Sequence, residues 1–206
     1  DMQIPFLRLI QTTSPQLNKQ ESVYIKGASG GDLFNTVTGE CWDSEEGVYV
    51  IPCGYTLKYL EFQLRTEGGG FMGELKSNDP AITQTQRDGA TELLPSGNEL
   101  IRSAQHLVML VDIKTGATQT AICDMKKTQL KVSKKWNTMM KMVQYSGPNG
   151  LFNFAVEKVD PTLIPQEAFL SAKTFYQSFR SGQVKTQAGT ADEVINVSSE
   201  KEELPF

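Results

Sequence analysis

Residues 57–65 read LKYLEFQLR. In an extended chain Leu57, Tyr59, Glu61, Gln63 and Arg65 fall on one face, and Lys58, Leu60, Phe62 and Leu64 on the other. A period of two is the mark of a β-strand with one side on a core. Just upstream, GVYVIPCGY (47–55) is rich in β-branched and aromatic residues and also reads as strand. Pro52 or Gly54 is expected to bend this long strand into two pieces. Downstream, TEGGGFMGEL (66–75) sets three consecutive glycines before Phe71, the pattern of a hairpin tip or bulge that presents an aromatic ring.

Further out the same signals recur. QIPFLRLI (3–10) reads as a first strand, and residues 11–22 as a polar loop. GASGGDLFNTVTGE (27–40) reads as a tight glycine turn that lacks the Gly-Lys-Ser/Thr ending of a phosphate-binding loop. Residues 76–99 are polar and carry Pro80, Gly89, Pro95 and Gly97, so a long irregular loop is expected. LIRSAQHLVMLVDI (100–113) ends in a buried strand, and Thr115-Gly116 turns it into TQTAICDM (118–125). TQLKVSKKWNTMMKMVQY (128–145) is expected to form a strand followed by a short helix or a second strand. Ser146–Gly150 is a turn, and LFNFAVEKV (151–159) alternates as a last strand.

Residues 165–180 change period. Ala168, Phe169, Ala172, Phe175, Tyr176 and Phe179 recur at steps of three and four, with Pro165 at the start and Gly182 past the end, so a helix lays its aromatic stripe on a sheet. Five to seven strands followed by one amphipathic helix point to a mainly β protein, a small antiparallel β-barrel or sandwich. An OB-type barrel fits the size and the interior glycines, although periodicity does not separate it from the other two. Residues 1–182 are expected to form one domain, and the small, polar residues from 183 onward a flexible linker and tail.

The chain has 206 residues and a net charge of −4. Five of its 24 acids, Asp192, Glu193, Glu200, Glu202 and Glu203, lie in residues 192–206 against one base, Lys201. Residues 1–191 are therefore neutral, and the acidic excess is confined to the C-terminal segment. Within the neutral part the bases cluster. Lys126, Lys127, Lys131, Lys134, Lys135 and Lys141 occur without an intervening acid, and Trp136 lies among them. Such a stripe draws phosphates by releasing counterions, and an aromatic beside it offers a platform for a base. The competing reading is a solvated surface with Trp136 turned into the core. Phe71 on its glycine hinge, Tyr59 and Trp42 are further stacking candidates, and Arg65, on the face of Tyr59, could clamp the backbone nearby.

Other chemistries find little footing. The three cysteines, Cys41, Cys53 and Cys123, and the single histidine, His106, lack the spacing of a zinc site, so no metal or other cofactor is expected. His106 adjoins LVMLV and reads as a strand-end or core residue. No nucleophile elbow and no paired catalytic carboxylates occur, so no enzymatic activity and no catalytic residue are expected. No apolar run of about 18 residues exists that would make a transmembrane helix, and no membrane partner is expected.

The chain ends in Glu200, Lys201, Glu202, Glu203, Leu204, Pro205 and Phe206. Acids leading into an apolar residue, a proline and a terminal phenylalanine resemble the C-terminal tip of bacterial single-stranded DNA-binding proteins. Here Leu204 replaces the usual isoleucine, glutamates replace aspartates, and Lys201 interrupts the run. GASGGDLFNTVTGE, GVYVIPCGY, GGGFMGE and TQLKVSKKWN, within residues 1–155, resemble segments of phage replication and recombination proteins. Together these resemblances imply an OB-fold phage protein that coats single-stranded DNA in the cytoplasm of the infected bacterium and recruits replication or recombination proteins through its tail. Stacking platforms tolerate RNA as well as DNA, so RNA stays open as a partner, as does a homo-oligomer. Independently of any resemblance, a free carboxylate beside Phe206 suits a basic, apolar pocket on a partner, and the tail acids can compete with DNA for the lysine stripe. Two other functions fit a neutral β-rich chain: a phage virion or scaffold protein, and a regulator that binds a host enzyme without nucleic acid.

Overall fold

A computed structural model describes residues 4–136, 141–146 and 152–184, with residues 141–146 described by their backbone. The chain is mainly β. In order its strands are β1 (Phe6–Leu9), β2 (Leu33–Asn35), β3 (Cys41–Trp42), β4 (Val48–Gln63), β5 (Gly70–Leu75), β6 (Gln86–Asp88), β7 (Thr91–Leu93), β8 (Glu99–Val111), β9 (Thr118–Lys126), β10 (Lys141–Ser146) and β11 (Asn153–Lys158). The α-helices are α1 (Pro80–Thr83), α2 (Leu130–Ser133) and α3 (Gln166–Arg180). Strand neighbours run β11-β10-β4-β8-β9-β1-β2-β3; β5 pairs with β4, and β7 joins β6 to β8. Parallel pairing of β1 with β9 makes the sheet mixed. Among the described residues its ends, β11 and β3, do not meet, so the sheet is open. A closed antiparallel barrel of the OB type is not what these strands form.

Two compact units emerge. The first comprises residues up to Thr56 together with Ala104–Thr186, and the second contains Leu57–Ser103. In the first, Ile51, Cys53, Leu107, Met109 and Val111 form a buried cluster with Ile164, Ala168, Ala172 and Phe175. The helical stripe expected from sequence is this contact: Phe169 and Phe179 flank it half-buried, whereas Tyr176 stays outside. Burying Phe175 alone is worth about 1.5–3 kcal/mol. Helix α3 stops because Gly182 turns left-handed (φ 75°), which lets Gly182 N–H reach Phe179 O at 3.0 Å and Gln183 N–H reach Ser178 O at 3.1 Å. These bonds satisfy carbonyls that a helix end otherwise leaves bare.

In the second unit, the C-terminal part of β4, from Leu57 on, and β5 form the glycine-tipped hairpin, and Leu60, Phe62 and Ile101 are buried together. Lys58 is buried on the same face and pairs with Glu74 at 3.0 Å. Residues 76–99 are not one irregular loop. They hold α1, capped by Asp79 accepting from Ala81 N–H, and the β6–β7 hairpin. Pro52 and Gly54 lie inside the single sixteen-residue strand β4 rather than at a break. Arg65 belongs to a 3-10 turn beyond the end of β4, so the alternation that would set it beside Tyr59 does not reach it.

Candidate nucleic-acid interface

Strand β9 ends at Lys126, whose ammonium sits 2.8 Å from Asp124. The chain then turns abruptly. Lys127 takes φ 48°, the single left-handed non-glycine among the described residues, a conformation that costs an L-residue roughly 1–2 kcal/mol. A 3-10 turn (Lys127–Gln129) and helix α2 follow. TQLKVSKKW is therefore helical, not the expected strand. Its short length and central Ser133 leave no period to read in sequence. The turn brings four lysines, Lys127, Lys131, Lys134 and Lys135, to the surface, while Ser133 and Trp136 point inward and are buried. Lys141 opens β10, opposite Val50 on one side and Lys158 on the other.

Beside these lysines lies an open pocket of about 560 Å³, walled by Pro52, Cys53, Gly54 and Tyr55 from β4, His106 from β8, Ser133, Lys134 and Trp136, and Tyr176 from α3. Every wall belongs to the first unit. Three of its rings, Tyr55, His106 and Trp136, form a continuous series. His106 packs against Trp136 with ring centres 4.7 Å apart, and against Tyr55 at 5.0 Å. His106 Nε2 and Ser133 Oγ share a hydrogen bond of 2.7 Å, which ties β8 to α2. Tyr55 and Tyr176 are 52% and 41% exposed, against 5% for Trp136. Arg180 donates to Tyr176 Oη at 3.1 Å and holds that ring from the helix side. The indole Nε1–H of Trp136 is buried and finds no acceptor among the described residues. Cys53 Sγ donates to Ile51 O at 3.2 Å, and burial pushes its thiol up to about 12, so this wall stays neutral.

The other aromatic candidates are dispersed. Trp42 is half-buried on β3 and borders a separate small cavity of about 50 Å³ with Glu40 and Asp112, carboxylates that disfavour a phosphate. Tyr59 is half-buried with the Arg102 guanidinium over its ring at 5.4 Å, and Phe71 packs on Phe62 at 5.4 Å. Both rings already have partners within the second unit, and Arg65 is exposed there on its own turn. Trp136, the first choice from sequence, is a buried wall rather than an open platform. The exposed rings beside it, Tyr55 and Tyr176, went unrecognised. One alternates in a strand and the other belongs to a helical stripe, and nothing local distinguishes either from core.

Glu200, Glu202, Glu203, Leu204, Pro205 and Phe206 lie outside the described residues. Among the described residues no three of His, Cys, Asp and Glu gather as metal ligands, and no helix is long and apolar enough to cross a membrane.

No curated protein and no solved structure matches the chain. The family described as Pam3 phage gp34-like protein matches over residues 1–185. With nine-tenths of its length so matched, the chain belongs to the Pam3 phage gp34-like family and is a phage protein.

Proposed function

We propose that this phage protein binds single-stranded nucleic acid without strong sequence preference, and that it serves phage DNA replication or recombination in the infected cell. One observation carries the reading: Lys127, Lys131, Lys134 and Lys135 are exposed on the same turn that delivers Trp136 to an aromatic-walled pocket with Tyr55 and Tyr176 at the surface. Lysines of this kind attract phosphates whatever the sequence, and exposed rings next to them can take unpaired bases, which a duplex keeps stacked. An open sheet serves this as well as a closed barrel, because grip depends on the lysines and rings and not on strand closure. The acidic C-terminal segment would recruit replication or recombination proteins and, when DNA is scarce, occupy the same lysines.

Fluorescence anisotropy of a labelled dT oligomer tests the proposal. We expect binding in low-salt buffer and a log–log salt dependence of about −0.7 per phosphate contacted. An oligomer whose tumbling is unchanged by the protein at low ionic strength overturns it. Light scattering of the DNA-free protein that showed large assemblies would favour a scaffold role instead.

A further inference from the structure

We infer that the pocket between Tyr55, His106, Trp136 and Tyr176 is a subsite for one unstacked nucleobase, held by its face against the exposed phenol rings. The inference rests on the single-strand-binding reading above, and adds to it a defined place for a base. Two features of the pocket point the same way. Its volume, about 560 Å³, exceeds that of any base, and the mouth carries two exposed phenol rings on which a base can lie. Lys134 lines it and Arg180 braces Tyr176, so cations flank the opening where a sugar-phosphate would remain outside.

Around the base the wall offers both donors and acceptors: the phenol hydroxyls of Tyr55 and Tyr176 can do either, and the Lys134 ammonium donates. The subsite therefore grips a base by its face and does not select one base over another.

The test compares a dT oligomer and an abasic oligomer of equal length and phosphate count. It is run on the full chain and on the surface variants Tyr55→Ala and Tyr176→Ala. For the wild type we expect dT to bind on the order of tenfold more tightly than the abasic strand, the gain from one stacked base. That ratio should fall toward one in the tyrosine variants. Equal affinity of the wild type for dT and abasic strands overturns the subsite and leaves single-strand binding intact. A dT-over-abasic ratio unchanged by both tyrosine variants does the same. Failure to bind both oligomers overturns this subsite and the single-strand-binding reading together.

Discussion

The imidazole of His106 lies against the indole of Trp136 with ring centres 4.7 Å apart and planes inclined at 42°. Trp136 is thereby a member of the first unit's core as well as a wall of the pocket, and its removal must be felt as a packing loss. Trp136→Ala should cost about 3–5 kcal/mol of stability, the range for deleting a large buried aromatic. Trp136→Phe should cost distinctly less. Urea denaturation of the two variants provides the check. An alanine variant as stable as the wild type would mean that the indole is not packed as described.

Lys127 makes position and charge separable. Its left-handed backbone (φ 48°) suits glycine, and its side chain is exposed. Lys127→Gly should therefore stabilise the fold by up to about 1 kcal/mol while weakening DNA affinity. Replacing Lys127, Lys131, Lys134 and Lys135 together by alanine should flatten the log–log salt dependence by about 3, from four lost phosphate contacts at roughly 0.7 each. Lys126→Ala should change it little, because that ammonium is already paired with Asp124 at 2.8 Å. Salt titrations of oligomer affinity measure all three.

Gly54 has an ordinary backbone conformation but no room. A Cβ built there would meet the ring of Phe179 at 2.7 Å, which forces α3 or the ring to move. Gly54→Ala should destabilise the protein by about 1–3 kcal/mol through overpacking. Adding Phe179→Leu should recover part of that loss, a coupling between sites that touch. Additive costs in the double variant, measured by denaturation, would exclude the contact.

What sequence could reveal follows from how far apart the interacting residues lie. The alternation of Lys58, Leu60 and Phe62 and the stripe of Ala168, Ala172 and Phe175 are local, and both faces are buried as read. Lys58 could be assigned to the inner face by parity alone, whereas its partner Glu74 is visible only once the β4–β5 register is known. Short elements escape because a four-residue helix such as α2 contains barely one period. Sheet closure escapes because no residue pattern states which strands fail to meet. The pocket draws on strand β4, strand β8, the α2 turn and α3, segments separated by dozens of residues, so Tyr55 and Tyr176 could not be paired before folding.

The three thiols yield a pH dependence. Burial raises Cys53 to about 12 and drives Cys123 upward as well. Burial and the neighbouring Asp32 carboxylate raise Cys41 to about 11. Unfolded cysteines ionise near 8.5. Above that value the unfolded chain has shed protons that the folded chain still holds, so stability is fully present below about pH 8.5 and falls as pH rises toward 11. The same shifts predict slow alkylation by iodoacetamide in the native protein and fast reaction at all three sites in urea, since only the thiolate attacks. Rapid labelling of Cys53 or Cys123 in the folded protein at pH 8 would contradict their burial.

Removing residues 192–206 tests the link between the tail and the lysine turn. That segment carries Asp192, Glu193, Glu200, Glu202 and Glu203 against Lys201, and the remaining chain is neutral. If its carboxylates compete with phosphates for Lys127, Lys131, Lys134 and Lys135, the truncated protein should bind a dT oligomer more tightly than the full chain near 0.01 M salt, where charges act over about 30 Å. The two should converge near 0.15 M, where screening shortens that reach to about 8 Å. A full-length protein with the five acids changed to their amides should behave like the truncation, because the effect resides in charge and not in chain length. Equal affinities of full-length and truncated protein at the lower salt, or weaker binding after truncation, would refute the competition, and the tail would then act on partners alone.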